Sequence, residues 1–197
     1  MKKSIVLILG LLIATVELTV AQTLTDTDRK SAVDQLKQSR KALLKTVKGL
    51  SDEQLNYKPA DSVWSVAECL EHITVSEQNL LGLVKATIAD ENDLQSEVED
   101  TQVDAIITNR DRKVKTRPEL VPTNRFGSYD ATLTAYNTAR TSTIDFIKAT
   151  NEDLRGSVTT FPFGNLDAYQ VVVFINGHGK RHHMQIEELM ASAGFPK

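Results

Sequence analysis

No disulfide can form within this chain, because Cys69 is its one cysteine. By the same count, no cysteine stands at the expected cleavage site after Ala21 to carry a lipid. Cys69 falls among Val66, Leu70 and Ile73 and reads as a small buried apolar side chain rather than a nucleophile. A membrane span needs an apolar run of roughly 20 residues. The run from Ser4 to Val16 is shorter and is followed by Glu17. Positive charge is not in excess: 23 Lys and Arg stand against 26 Asp and Glu, for a net charge of −3. That balance argues against general nucleic-acid binding, which calls for a basic field. Neither a glycine-rich phosphate loop nor a serine or cysteine nucleophile constellation is present, and no convincing strand alternation appears.

The first residues carry a targeting pattern. Lys2 and Lys3 form a basic start, Ser4 to Val16 is apolar, and Thr19-Val20-Ala21 ends on a small residue suited to cleavage. The expectation is a signal peptide over 1–21 and an exported chain over 22–197, periplasmic or secreted. That remainder is the length of one domain and can bury a sizeable core. Without disulfides, its stability must come from packing, with a metal as a further source.

Four stretches show the helical period. Thr25 or Asp26 can cap the first, which carries Val33, Leu36, Leu43, Leu44, Val47 and Leu50, with Gly49 as a stop signal. Ser51-Asp-Glu-Gln54 and Ser65-Val-Ala-Glu68 are capping boxes. The second box opens a long helix with Val66, Cys69, Leu70, Ile73, Leu80, Val84 and Ile88 inward, and Trp64 packs at its start. His72 lies at the edge of that face, about two turns in. From Asp90 to Arg125 the pattern weakens into an acidic run followed by a basic one, around a short helix at Val103, Ile106 and Ile107. This long connection reads as solvated surface, with a partial lid over a pocket as the alternative. Ser128 or Asp130 starts a third long helix carrying Leu133, Tyr136, Ala139, Ile144 and Ile147. Phe161-Pro-Phe-Gly164 is a turn, and Asn165 or Asp167 caps the fourth.

The fourth helix holds the chemistry. Val171, Phe174, Ile175, His178, His182, Gln185, Ile186 and Leu189 follow one another at helical steps. His178 and His182 therefore continue an inward stripe, one turn apart, as two ligands of one metal ion would. A packed pair of core histidines is the competing reading. A third ligand decides between them, and His72 is the candidate. Gly177 and Gly179 each lower helix propensity by roughly 1 kcal/mol, so a close approach of backbone or ligand is expected there. Gln185 either orients a ligand or bonds within the core, and His183 is rotated about 100° from His182, toward the rim.

Leu50-Ser-x-Glu-Gln-Leu, Pro59, Trp64-Ser-x-x-Glu68, His72, Phe163-Gly164 and His178-x-x-x-His182-x-x-Gln185 together resemble the DinB/YfiT-like superfamily over nearly the whole chain after the leader. The resemblance implies an all-α four-helix bundle with a long connection between its second and third helices. It also implies a divalent metal on His72, His178 and His182. Zinc or nickel are the first expectations, with iron or copper also compatible with imidazole ligands. The family's activities imply a metal-dependent hydrolase whose three-histidine site activates water. A thiol-dependent S-transferase, or a non-catalytic module binding a metal or small molecule, is the alternative. Export favours water over a cytosolic thiol cosubstrate. A small-molecule substrate and a homodimer are the expected partners, without nucleic acid or stable membrane insertion.

Overall fold

A computed structural model describes residues 24–90, 92 and 94–197; the leader expected at 1–21 lies outside them. Thr25 opens α1 (Asp26–Val47) by accepting a hydrogen bond from the Asp28 amide, and Asp26 and Asp28 place negative charge at the positive end of the helix. Gly49 ends the segment with φ +78°, a backbone conformation other residues rarely adopt. Ser51 and Gln54 bond reciprocally at the start of α2 (Asp52–Asn56). Ser65 and Glu68 do the same at α3 (Val66–Ala89). Both capping boxes stand where the residue pattern placed them.

The long connection contains α4 (Asp100–Thr108) and a 3-10 turn at Pro118–Leu120. Ser128 caps α5 (Tyr129–Ala149), and Asp167 caps α6 (Ala168–Met190) in a capping box with Gln170. Between α5 and α6 lies an antiparallel hairpin, β1 (Val158–Phe161) and β2 (Gly164–Asp167). The turn at 161–164 was expected; its flanking strands were not. Four residues per strand are too few for a period of two to stand out.

α1, α3, α5 and α6 form the four-helix bundle. α3 packs between α5 and α6, and α1 packs between the same two on the other side. Helices α1 and α3, the first two of the four bundle helices in sequence, therefore lie across the diagonal. This order makes α3 and α6 neighbours, as a site shared by His72 and His178 requires.

The core has two apolar halves. Leu36, Val84, Ile144, Ile147, Val171 and Ile175 belong to one. Leu43, Leu70, Ile73, Tyr136, Ile186 and Leu189 belong to the other. A buried polar layer runs through the middle of every bundle helix between them. Arg140 Nε donates to Glu77 at 2.7 Å, and Arg140 Nη1 donates to the Leu36 carbonyl at 3.0 Å and to Ser39 Oγ at 2.7 Å. Ser39 in turn donates to Asn176 Oδ1 at 2.8 Å. One guanidinium thus ties α1 and α3 to α5, and Ser39 extends the network to α6. Glu71, Thr74, Ser76 and Glu77 of α3 are buried as well as its apolar residues, because α3 is covered on all sides at mid-length. Among the described residues no helix is long and apolar enough to cross a membrane.

Candidate metal centre

His72 reaches the centre from α3, and His178 and His182 from successive turns of α6. The Nε2 atoms of His72 and His178 are 3.2 Å apart, and one ring nitrogen from each of the three histidines lies within 4.8 Å of the others. Two nitrogens bound to one tetrahedral ion at about 2.1 Å would sit about 3.4 Å apart. The observed spread reaches somewhat beyond the 3–4 Å expected of filled ligand positions.

Outer hydrogen bonds fix two of the rings. His72 Nδ1 donates to the Leu120 carbonyl at 2.8 Å. His182 Nδ1 donates to Gln185 Oε1 at 2.8 Å. In each ring the proton resides on Nδ1 and leaves a lone pair on Nε2, the tautomer a metal ligand needs. Gln185 bonds to His182 itself, a contact compatible with either of its two expected roles. Trp64 lies over this pair, its ring centroid 4.7 Å from that of His72 and 6.1 Å from that of His182. Phe174, one turn before His178, stacks on it at 6.0 Å.

Burial holds the imidazoles neutral. Desolvation pushes the His72 pKa down, partly opposed by the bond to Leu120. His182 is lowered well below the usual range by desolvation, then by His178 and His72. His178 is lowered to about 3 by desolvation, then by His72 and Arg181. Three neutral nitrogen donors facing one point suit a divalent ion and leave room for further ligands. His183 points elsewhere, toward Thr46 Oγ1 at 2.8 Å.

Carboxylates close to the histidines in sequence are committed to structure. Glu68 accepts from the Ser65 amide and from Lys58. Glu71 accepts from the amides of Thr123, Asn124 and Arg125. Glu77 holds Arg140 and Thr143. No aspartate or glutamate joins the histidine cluster among the described residues.

The two glycines in α6 mark close approaches. A Cβ on Gly177 would meet Ile107 of α4 at 3.3 Å, and one on Gly179 would meet Arg140 Nη2 at 3.0 Å. The connection after α4 is more than solvated surface. Arg181 donates to the carbonyls of Ile107, Asn109 and Arg112, while Leu120 orients His72. Leu120 acts through its backbone and the Glu71 clamp grips backbone amides, so neither role left a side-chain pattern in the sequence. Trp64 was expected only at the start of its helix, and its place over the histidine rings depends on tertiary packing.

Residues 35–186 match the DinB superfamily. The uncharacterized protein YuaE of Bacillus subtilis (strain 168) is 29% identical over 144 residues, covering 73% of this chain and 87% of YuaE. Among solved structures, YfiT from Bacillus subtilis matches with a TM-score of 0.60 at 15% identity, over 89% of this chain and 93% of YfiT. YfiT is described as a probable metal-dependent hydrolase with an unusual four-helix bundle topology. At that identity the likeness speaks for the fold alone. The family match spans the bundle from α1 into α6, including all three clustered histidines, and the chain belongs to the DinB superfamily.

Proposed function

We propose that this protein is an exported, metal-dependent hydrolase in which His72, His178 and His182 hold the divalent ion. The observation that carries the reading is the convergence of three neutral imidazoles on one point. The Leu120 carbonyl and Gln185 orient two of them. The description of YfiT, which shares the fold, adds support for the class of reaction. An ion so held supplies Lewis acidity, lowering the pKa of a water and polarising an acceptor carbonyl or phosphoryl group. The chain's own part is to fix ligand direction from α3 and α6 and to shield the centre with Trp64 and Phe174. Export rests on the Lys2-Lys3, Ser4–Val16 and Ala21 pattern, and an oxidising compartment favours water over a thiol as nucleophile.

A second reading is a non-catalytic metal or small-molecule binder. One observation favours it: Glu68, Glu71 and Glu77 are all engaged elsewhere, and among the described residues no carboxylate joins the histidines to act as a base. Metal analysis of protein purified without an affinity tag comes first. Ester, amide and phosphoester substrates are then screened with the loaded chain. Hydrolysis that disappears with a chelator supports the hydrolase. Tight metal binding without turnover favours the binder, and thiol transfer without hydrolysis favours the S-transferase.

A further inference from the structure

Between α4 and α5 the chain runs from the helix of His178 and His182 to the helix of His72. It is pinned at both ends, at the height of the histidines. At the α6 end, Arg181 Nη2 donates to the Arg112 carbonyl at 2.6 Å. At the α3 end, the Leu120 carbonyl accepts from His72, and Glu71 grips the next three amides beyond Pro122. Between the pins lies Arg112-Lys113-Val114-Lys115-Thr116-Arg117, with four cations and no anion in six residues. The chain as a whole is net negative, at −3.

The other cations nearby have fixed work. Arg110 forms a two-point bond with Glu188. Arg181 holds carbonyls of the connection. Arg125 bonds the Glu119 and Val121 carbonyls and lies 3.7 Å from Glu71. Among the described residues, the side chains of Arg112 and Lys115 have no partner. Lys113 feels Glu188 only beside Arg110. Arg117 makes one pair with Glu119 at 3.4 Å while 72% exposed, which holds it weakly. The run thus carries two unpaired and two weakly paired cations on a segment whose backbone is fastened at both ends beside a recessed histidine cluster.

We propose that this strap recognises an anionic group, a carboxylate or a phosphate, on a small substrate whose reacting bond lies at the histidine centre. The inference rests on the hydrolase reading for the reacting bond, but recognition of the anion does not need turnover. Cations at the side of a recessed site raise the local concentration of anions and attract the charged end of a ligand. Screening acts over about 8 Å at physiological ionic strength, so the effect should weaken with salt. A polyanion is a poorer fit. Nucleic-acid interfaces span at least roughly 600 Å² of protein with a broad basic field, and this strap is six residues on an acidic chain.

The test uses the full chain, zinc-loaded, and the triple variant Arg112→Gln, Lys113→Gln, Lys115→Gln. Three 4-nitrophenyl esters serve as probes: the acetate (neutral), the hemisuccinate (carboxylate) and the phosphate. The expected result is a roughly tenfold higher KM for one or both anionic esters, with kcat and the acetate kinetics unchanged. High salt should produce the same shift in the unsubstituted chain. Whichever anionic ester shifts more tells carboxylate from phosphate. Equal effects on the acetate and the anionic esters, or no effect at all, would overturn the proposal. If no ester is turned over, succinate and phosphate binding to the zinc-loaded proteins is measured by calorimetry. Loss of that binding in the variant supports the strap although the hydrolase reading fails; unchanged or absent binding overturns it. A 20-nucleotide single strand bound more tightly than either small anion would also overturn it.

Discussion

At the scale of single residues, the histidine rings depend on the groups behind them. Gln185→Leu removes the acceptor that fixes His182 and should lower zinc affinity about 10–100-fold with little loss of fold. His183→Ala should leave affinity unchanged, since His183 faces Thr46. Calorimetric titration of both variants checks this, and equal losses would show that Gln185 has no special part. Burial also gives the metal-free protein a pH signature. All three clustered histidines have pKa values lowered by folding. Below the ordinary value of about 6.5, the unfolded chain takes up protons that the folded chain refuses. Their contribution to stability is therefore complete above about 6.5 and falls as pH drops through that value toward the about 3 of His178. Asp34, Asp100 and Glu188 are also lowered, from ordinary values of 3.8, 3.8 and 4.5, so their losses begin at more acid pH. The urea midpoint of metal-free protein should be lower at pH 5.5 than at pH 7.5. A His178→Asn variant should show a smaller drop. Identical midpoints for the unsubstituted chain would contradict the neutral assignment.

At the scale of elements, helix starts matter most. Ser65 sets where α3 begins, and with it the height of His72. Ser65→Ala should cost about 1 kcal/mol and lower Tm by roughly 2–4 °C; an unchanged melting curve would mean the cap contributes nothing. These starts were legible because a capping box is local chemistry: Ser51 with Gln54 and Ser65 with Glu68 stand three residues apart in sequence and bond as written. The stripe ending in His178 and His182 was legible for a similar reason, since one helix face is a property of one segment. The hidden parts were contacts between segments. Nothing near Leu120 announces that its carbonyl will meet His72 forty-eight positions away. Arg140, in a helix read by its apolar face, shows no sign in sequence that it will be fully buried against Glu77. Gly177 and Gly179 did signal close approach, but α4 and Arg140 as the approaching partners could be named only from the fold.

At the scale of the whole molecule, the polar layer between the two apolar halves sets the heights of the four helices. Arg140 is 0% and Glu77 2% exposed. Arg140→Met alone should cost about 3–5 kcal/mol, because it strands a buried carboxylate, whereas Arg140→Met with Glu77→Leu should cost less than that single change. Chemical denaturation of both variants decides it, and a double variant that is the weaker of the two would mean the pair is a net source of stability. The layer sits one short step from the histidines, with Gly179 against Arg140 and His178 next to it in α6. His72 joins the two regions of chain on which the function is proposed to depend. An imidazole is a rigid plate, and the plate of His72 has one edge on the long connection and the other on the cluster. Rotation of the ring therefore displaces both contacts at once. If a ligand on the charged strap alters the affinity of the three-nitrogen centre for an ion, the ion must alter the affinity of the strap for that ligand by the same factor.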